Sequence, residues 1–369
     1  MINLLNIDNF KAFEQQSIQF KTLTLLTGLN STGKSSVLQS FLLLRQSFKQ
    51  DLLPDKGLAL NGELISIGTA KDALFEEAKE DIIGFEITWN NKNKATWKFQ
   101  YDSESDVIKL VSPPNESDVY STNLFRDNFY YLQAERIGSR KYFGTSEDKV
   151  VQHRSIDSKG EYAAHFLATY RDEDIPLKNL KHPTSESLNF RVQVEAWMSE
   201  ISPGTKINIQ PNLDLDLVSL RYSYGLSGSY RATNVGFGIT YTLPILVVVL
   251  LSQPGTLILI ENPEAHLHPQ GQLKMGELLA LAASCGVQII VETHSDHVLN
   301  GIRLAVHRGQ LSHENVQLNY FQRQEKDGMA VVEVVSPRMD KNGRINQWPD
   351  GFFDEWDKSL EALLEPAGE

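Results

Sequence analysis

The stretch that decides the fold of this 369-residue chain is Gly28-Leu29-Asn30-Ser31-Thr32-Gly33-Lys34-Ser35. It has the form G-x-x-x-x-G-K-S, with an apolar, strand-like segment at 23–27 before it and a helix-like segment at 34–48 after it. The glycines let the backbone fold tightly, so that its N–H groups face phosphate oxygens, and the positive end of the following helix adds to the attraction. The stretch therefore predicts a phosphate-binding loop.

The side chains of this loop have predicted roles in binding ATP and Mg²⁺. Lys34 is predicted to reach the β- and γ-phosphates, and the hydroxyl of Ser35 is predicted to ligate Mg²⁺. The remaining contacts to the phosphates are assigned to Gly28, Asn30, Ser31, Thr32, Gly33 and Ser36.

A second segment carries acidic residues directly after four apolar residues at 257–260. It reads Glu261-Asn262-Pro263-Glu264-Ala265-His266-Leu267-His268-Pro269. A buried strand that ends in a carboxylate forms the metal side of a phosphate-loop site, so Glu261 is predicted to hold Mg²⁺ through its water shell. Asn262 is an amide and cannot take a proton at neutral pH. Glu264 has two interpretations, a catalytic base or an acid near the start of the helix around Gln270.

A third segment, Glu292-Thr293-His294-Ser295, ends the next predicted strand. A histidine at the end of the strand beside the acidic strand can hydrogen-bond the γ-phosphate region, so His294 is predicted to sense hydrolysis. His297 lies outside this pattern and is interpreted as structural. His266 and His268 are two residues apart, without a nearby cysteine or third histidine, which argues against zinc.

The order of predicted elements indicates an α/β fold. Strands and helices alternate over 256–306, which is typical of a parallel sheet flanked by helices. Apolar and polar residues alternate near the N-terminus and again over 83–112, where the Asn-Lys-Asn-Lys stretch predicts a hairpin. Further helices are predicted at 162–170, 187–198 and 353–364, and further strands at 207–224, 316–321 and 330–335. We predict a discontinuous nucleotide-binding lobe, 1–112 with 250–369, and an insertion lobe at 113–249.

Composition limits the classes of function. The net charge of -12 argues against coating nucleic acid by bulk attraction. The one cysteine, Cys285, excludes an internal disulfide and is predicted to be buried. The longest apolar run, 243–251, is far shorter than the ~20 residues that span a bilayer, and no signal peptide is visible. We therefore expect a cytoplasmic protein that has no membrane partner.

These residues resemble bacterial AAA-type ATPases with an ABC head fold, a group that includes the overcoming-lysogenization-defect proteins, RecF and SMC-type heads. The matching stretches are Ile7-Asp8-Asn9-Phe10-Lys11-Ala12-Phe13, the phosphate-binding loop, the acidic segment and Thr293-His294-Ser295. The resemblance implies a P-loop NTPase of the ABC-ATPase head type, with a mixed sheet, antiparallel N-terminal strands and a helical and stranded insertion lobe. The chain looks most like short members that have no nuclease domain and carry an uncharacterised C-terminal extension, since too few residues follow Val335 for such a domain.

The resemblance also implies a homodimer in which a signature motif of one subunit covers the ATP of the other. By position this motif is Asn234-Val235-Gly236-Phe237-Gly238, with Gly236 and Gly238 facing the partner's γ-phosphate and with no role inside their own subunit. Valine replaces the usual serine at 235. Without the resemblance, the same turn reads as the start of the helix at 239–251. The family places a water-activating glutamate at the position of Asn262, so slow hydrolysis is expected here.

Three functions follow from these predictions. The first is a molecular switch that dimerises on ATP and controls a protein effector, such as a nuclease, in phage defence or DNA maintenance. The alternative is a RecF-like DNA-binding clamp, for which nucleic acid is the partner, and it depends on a loose basic cluster of Arg136, Arg140, Lys141 and Lys149. The third, the ATPase subunit of a membrane transporter, would need an intact signature motif and a catalytic glutamate, and both are altered.

Overall fold

The structure is a computed structural model that describes residues 1–90, 93–114, 117–326 and 329–365. Its strands are β1 (Ile2–Phe10), β2 (Phe13–Gln19), β3 (Leu23–Gly28), β4 (Gly57–Ala59), β5 (Ile82–Trp89), β6 (Lys94–Gln100), β7 (Val107–Ser112), β8 (Phe129–Leu132), β9 (Phe143–Gly144), β10 (Thr205–Asn212), β11 (Leu217–Tyr224), β12 (Tyr230–Arg231), β13 (Leu257–Glu261), β14 (Gln288–Glu292), β15 (Val316–Lys326) and β16 (Met329–Val335). Its α-helices are α1 (Lys34–Lys49), α2 (Ala70–Ala73), α3 (Ala163–Tyr170), α4 (Phe190–Ile201), α5 (Phe237–Leu250), α6 (Pro269–Ser284), α7 (Asp296–His307) and α8 (Glu355–Leu364).

The central sheet brings the three predicted motifs to one edge. Its strand order is β16-β15-β3-β14-β13-β8, parallel from β15 to β8 and antiparallel between β15 and β16. The carboxyl ends of parallel strands meet at the same edge of a sheet, where ligands bind in open α/β folds. The loop after β3 therefore lies beside the segments that follow β14 and β13.

A second, antiparallel sheet covers α1. Its order is β2-β1-β5-β6-β7-β4. Phe41 of α1 shares one core with Phe85 of this sheet and with Leu259 of β13, so α1 packs between the two sheets. Ile258 and Ile260, the alternate residues of β13, belong to the core that also contains side chains of α3 to α7. Burial on both faces explains why β13 is apolar without alternation.

The middle of the chain supplies a small sheet and the most apolar helix. The small sheet pairs β10 with β11 and β11 with β12 and β9, all antiparallel. Apart from Tyr241, residues 239–250 of α5 are buried. Gly160 has a positive φ of 73° and lies against Pro244 within this helix, where a Cβ atom would be only 2.5 Å from the proline ring. Glycine is therefore required where this turn meets α5.

The predicted fold class is confirmed, and a few local predictions differ from the structure. The hairpin of β5 and β6 is present, although residues 91 and 92 at its turn lie outside the described residues. The short strands β4, β8 and β9 carry no periodic pattern and were not predicted. Cys285 is half-buried at the C-terminal end of α6, so its predicted full burial is wrong, because its side chain falls where the helix leaves the core.

The proposed division of the chain into lobes stays a prediction. Strand β8 falls within 113–249 and is nevertheless an edge strand of the central sheet. Among the described residues, the helices are too short or too polar to cross a lipid bilayer.

Candidate nucleotide-binding site

The phosphate-binding loop joins β3 to α1 through two positions that only glycine fits. Gly28 has a φ of 135°, and a Cβ atom there would lie 2.1 Å from the carbonyl oxygen of Phe321. Gly33, the N-cap of α1, has a φ of 90°, and a Cβ atom there would lie 2.5 Å from the ring of Phe13. The loop is therefore held between β15 and the turn that joins β1 to β2.

Lys34 is buried inside the loop. Its Nζ donates hydrogen bonds to the carbonyl oxygens of Gly28, at 3.0 Å, and Leu29, at 2.6 Å. Burial lowers the pKa of Lys34, and the charge of Glu292 opposes this shift. The ammonium group is thus already positioned at the loop, where it can exchange backbone carbonyls for phosphate oxygens.

Two more hydrogen bonds fix the tip of the loop. Thr32 Oγ1 donates to the carbonyl oxygen of Leu29 at 2.7 Å, and Arg323 donates to that of Ser31 at 2.8 Å. A cavity of about 320 Å³ opens beside this loop, and residues 30–36 together with Glu292 line it. All the predicted loop contacts except Gly28 therefore face one cavity.

The hydroxyl of Ser35 contacts a carboxylate to which the sequence analysis assigned no role. Ser35 Oγ lies 3.1 Å from each carboxylate oxygen of Glu292, the last residue of β14. Glu292 is only 8% exposed, and burial, followed by repulsion from Glu261, raises its pKa to about 7, while Lys34 opposes the shift. Glu292 carries the same sequence signal as Glu261, a carboxylate at the end of a buried apolar strand.

Glu261 lies directly beside Glu292 because the two residues are in register across β13 and β14. Its carboxylate accepts hydrogen bonds from the Tyr131 hydroxyl, at 2.8 Å, and from the Ala134 backbone N–H, at 3.0 Å. Burial and the charge of Glu261 raise the pKa of Tyr131, which therefore remains a hydrogen-bond donor. The role of Glu261 at the metal stays a prediction.

Asn262 adopts a left-handed backbone conformation, with a φ of 44°. Its N–H donates to the carbonyl oxygen of Glu292 at 2.8 Å. Its side-chain Oδ1 is buried and has no hydrogen-bond partner among the described residues. Asparagine tolerates this conformation better than most residues, and an unpaired buried acceptor is costly unless a ligand or water pairs with it.

Arg136 is a buried arginine that joins the acidic segment to α5. Its guanidinium donates to four carbonyl oxygens, those of Glu261 at 2.7 Å, Asn262 at 2.6 Å, Gln133 at 3.1 Å and Tyr241 at 3.1 Å. Only 2% of the residue is exposed, and burial lowers its pKa to about 10. Arg136 therefore fixes the backbone on which Asn262 sits and connects it to the helix that begins at the signature motif.

Replacing Arg136 by methionine is expected to lower the free energy of unfolding by about 3–5 kcal/mol. Methionine fills much of the same space, but it removes a hydrogen-bond donor from four partly buried carbonyl oxygens, and a buried polar group left without its partner costs about 1–3 kcal/mol. Urea denaturation of the two proteins measures the difference. Arg140→Met, at an exposed position four residues on, is the matched control and should change stability by less than about 0.5 kcal/mol. Equal losses for the two variants would contradict the role of Arg136.

Glu264 is bound to the segment that contains His294. Its carboxylate accepts hydrogen bonds from Thr293 Oγ1 and from the backbone N–H of His294, both at 2.8 Å. It does not cap the start of α6, where His268 is the N-cap residue and accepts from the N–H of Gln270. Burial is the largest effect on the pKa of His294 and lowers it, so the neutral imidazole is favoured.

The signature segment opens α5 as predicted, with Gly236 as the N-cap. A Cβ atom at Gly236 would meet nothing within 4 Å, whereas one at Gly238 would lie 2.7 Å from the carbonyl oxygen of His266. The expectation that both glycines have no role in their own subunit is therefore wrong for Gly238, because α5 passes close to the acidic segment there. Phe237 between them is 56% exposed.

The loose basic cluster predicted from the sequence is not a continuous surface stripe. Arg136 is buried among carbonyl oxygens, and Lys149 forms an ion pair with Glu63. Arg140 and Lys141 are exposed. One of the four positive charges is thus buried and another is paired with an acid at the surface, which weakens the case for a DNA clamp that grips phosphates with this cluster.

The oxygen atoms at this edge of the sheet fit Mg²⁺ and a triphosphate. Mg²⁺ takes one or two carboxylates and completes its shell with phosphate oxygens and waters. Ser35, Glu292 and Glu261 provide a hydroxyl and two carboxylates within this arrangement. Within the described parts of the chain, no group of three or more His, Cys, Asp or Glu side chains could hold a metal by itself, so the phosphates would supply the remaining ligands.

Glu292 should make the stability of the metal-free protein depend on pH. Its pKa is about 7 when folded and 4.5 when unfolded, so the folded state binds more protons between these values. The stabilising contribution is complete below pH 4.5 and is lost as the pH rises to 7, by about 3 kcal/mol. Urea denaturation in EDTA should show this loss in wild type relative to Glu292→Gln. Parallel pH profiles for the two proteins would contradict it.

The fold is that of a P-loop ATPase domain of the ABC and SMC head type. A family model with the description "AAA domain, putative AbiEii toxin, Type IV TA system" matches residues 23–300. The chain belongs to this AAA-domain family. Residues 311–363, which include β15, β16 and all but the last residue of α8, match a second model, described as a protein of unknown function (DUF3696).

Solved structures support the same fold. An SMC head bound to the C-terminal winged-helix domain of ScpA is 14% identical, with a TM-score of 0.55, covering 91% of this chain and 98% of that one. An SMC head with an extended coiled coil, bound to the C-terminal domain of ScpA from Pyrococcus furiosus, is also 14% identical, with a TM-score of 0.55 and coverage of 99% of both chains. Identities this low show the fold alone. No curated protein matches the sequence.

Proposed function

We propose that this chain is an ATP-dependent molecular switch that dimerises on ATP, hydrolyses it slowly and controls a separate effector protein. The observation that carries the proposal is the site at the carboxyl edge of the central sheet. A complete phosphate-binding loop there faces two adjacent carboxylates, while an amide, Asn262, occupies the position where the family has a water-activating glutamate.

In this proposal, binding rests on Lys34, Ser35 and the loop amides. The loop is already closed around Lys34, so little reorganisation is needed when phosphate oxygens replace the carbonyls of Gly28 and Leu29. Mg²⁺, when bound, neutralises charge on the β- and γ-phosphates. Glu292, Glu261 and Ser35 would hold the ion, the two acids from the ends of β14 and β13 and the hydroxyl from the start of α1.

Slow hydrolysis follows from the chemistry around the reacting phosphate. Asn262 cannot accept a proton from water. Glu264 could, but its two oxygens accept hydrogen bonds from Thr293 and His294, which orient it toward the switch segment, residues 293–295. His294 next to this carboxylate would then respond to the presence of the γ-phosphate. A slow step keeps the protein in its ATP-bound state, which suits a switch.

The output of the switch is proposed to be a partner protein in phage defence or DNA maintenance. The family description names a "putative AbiEii toxin" of a type IV toxin–antitoxin system. The SMC heads of similar fold bind ScpA, according to their descriptions. The ScpA-bound heads of similar fold support a protein effector over a small-molecule substrate.

The proposal requires that ATP with Mg²⁺ promotes a homodimer through Gly236. Sedimentation velocity with and without Mg²⁺-ATP should show a nucleotide-dependent dimer, and Gly236→Arg should abolish it, because the arginine would occupy the space of the partner's γ-phosphate. Gly228→Arg is the matched control, since a Cβ atom at Gly228 also meets nothing within 4 Å. Gly238→Arg is a poorer test because it would clash with His266 in its own subunit. The same oligomer with and without nucleotide would overturn the switch.

A further inference from the structure

We propose that α8 and the tip of the phosphate-binding loop form a pocket that receives Phe237 of a second copy of this chain. This inference rests on the proposed ATP-dependent dimer and goes further by naming the contact that holds the two copies together. It also gives a role to the C-terminal segment, which none of the nucleotide motifs explains.

The pocket is a cavity of about 810 Å³ between the loop tip and the C-terminal segment. Its walls include Leu29 from the loop, His294 from the switch segment, and Phe353, Trp356 and Ser359 from the C-terminal segment. Leu29 is 61% exposed and Trp356 is 69% exposed. Large apolar side chains beside a nucleotide site are costly to leave in water, so this pocket is suited to an apolar side chain from outside the subunit.

The floor of the pocket is fixed to the central sheet, whereas α8 contributes no buried residue to the described part of the chain. Phe352 is fully buried against the ring of Tyr320, and the Tyr320 hydroxyl donates to the carbonyl oxygen of Asp350 at 2.8 Å. By contrast, every residue of α8 is exposed. Trp356, Leu360 and Leu363 follow each other at i, i+4 and i+7, so they form one exposed apolar stripe on this helix.

Phe237 is an exposed aromatic side chain on the surface that carries the signature segment, at the start of α5. It directly follows Gly236, the N-cap residue that is proposed to face the partner's ATP. Its ring lies 5.6 Å from that of His266 and 3.3 Å from a Cβ atom built at Gly138, which fixes its direction at the surface. If Gly236 approaches the γ-phosphate held by the partner's Lys34, the next residue arrives beside the tip of the partner's loop.

Charge around the two surfaces is complementary. The surface of α8 carries the acids Glu355, Asp357 and Glu361, and its one lysine, Lys358, forms ion pairs with Asp350, Asp354 and Glu355. The segment beside Phe237 carries the exposed bases Arg140, Lys141 and Arg231. Ser139 Oγ lies 3.3 Å from Thr240 Oγ1, which holds Arg140 and Lys141 next to the start of α5. Attraction between these acids and bases favours the docking of Phe237 beside α8 and fixes its orientation. Each copy of the chain carries both the acidic and the basic surface.

Cross-linking between two single-cysteine proteins tests the contact while Phe237 and Trp356 both remain in place. In a Cys285→Ser background, Ser139→Cys places a thiol beside Phe237 of one copy, and Ser359→Cys places one in the pocket of the other. A short bismaleimide should join the two proteins into a heterodimer when Mg²⁺-ATP is present. Ser139→Cys mixed with Ser17→Cys, an exposed serine of β2, is the control and should give no product.

The second measurement removes the Trp356 side chain from the pocket. Trp356→Ala should weaken the ATP-dependent dimer at least about 30-fold in sedimentation equilibrium, as expected for an aromatic side chain at the centre of an interface. Leu215→Ala, at an exposed position in the turn between β10 and β11, should not change it, and far-UV circular dichroism checks that each variant is folded.

The outcomes separate this inference from the proposed function. Normal ATP-dependent dimerisation of wild type and Trp356→Ala, with no 139–359 cross-link, would overturn the pocket contact and leave the switch intact. A wild-type protein that never dimerises on ATP would overturn both. A nucleotide-dependent 139–359 product together with a weakened Trp356→Ala dimer is the expected result.

Discussion

Replacing Asn262 by aspartate is expected to raise the steady-state rate of phosphate release by about 10²–10⁴-fold, the usual contribution of a general base. The change adds a carboxylate where the family has its water-activating residue. Aspartate suits this position better than glutamate because the backbone φ of 44° is tolerated by short Asn and Asp side chains. Asn262→Glu should also raise turnover, by less, since the longer side chain is strained there.

Glu264→Gln is the matched test of the rival base. Both oxygens of Glu264 already accept hydrogen bonds, so its loss should change the turnover little if Asn262 occupies the catalytic position. If Glu264 is the base, Glu264→Gln should instead cost orders of magnitude, and the Asn262 variants should give no gain. A wild-type turnover near ~10 s⁻¹, the median for enzymes, would contradict the proposal of a slow switch.

Replacing Lys34 by alanine is expected to weaken ATP binding at least about 100-fold without unfolding the chain. Lys34 is the buried charge of the phosphate-binding loop, and hydrogen bonds to charged groups contribute about 1.5–3 kcal/mol each. Two such bonds to the β- and γ-phosphates correspond to two or more orders of magnitude in Kd. Isothermal titration calorimetry measures the affinity.

Two controls distinguish lost recognition from lost structure. Lys71→Ala removes an exposed lysine of α2 and should leave the ATP affinity unchanged. Thermal unfolding of Lys34→Ala without nucleotide should resemble that of wild type, since desolvation already disfavours the buried charge of Lys34 and offsets its bonds to Gly28 and Leu29. Micromolar ATP binding by Lys34→Ala would overturn the assignment of the loop.

Glu292 is the site residue to which the sequence assigns no role, and it shows what local sequence patterns do not reveal. Glu292 and Glu261 carry the same signal, an acid at the end of an apolar strand. Which acid contacts Ser35 depends on strand order, since β14 lies between β3 and β13. Strand order arises from contacts between residues far apart in the chain, so the local pattern around Glu292 could not reveal it. The buried role of Arg136 gave no signal either, because most of its partners are backbone carbonyls of two distant segments, at Tyr241 and at Glu261 and Asn262.

The sequence by itself determined the phosphate-binding loop, the strand that ends at Glu261 and the alternating strands and helices of the central sheet. These features are local, because glycine conformations, apolar periodicity and helix starts depend on neighbouring residues. Only the tertiary structure decided that Gly238 packs against His266, that Arg136 is buried rather than part of a basic surface, and that α8 lies beside the loop tip. Each of these is a contact between segments distant in the chain, and its energy depends on burial that no short stretch of sequence encodes.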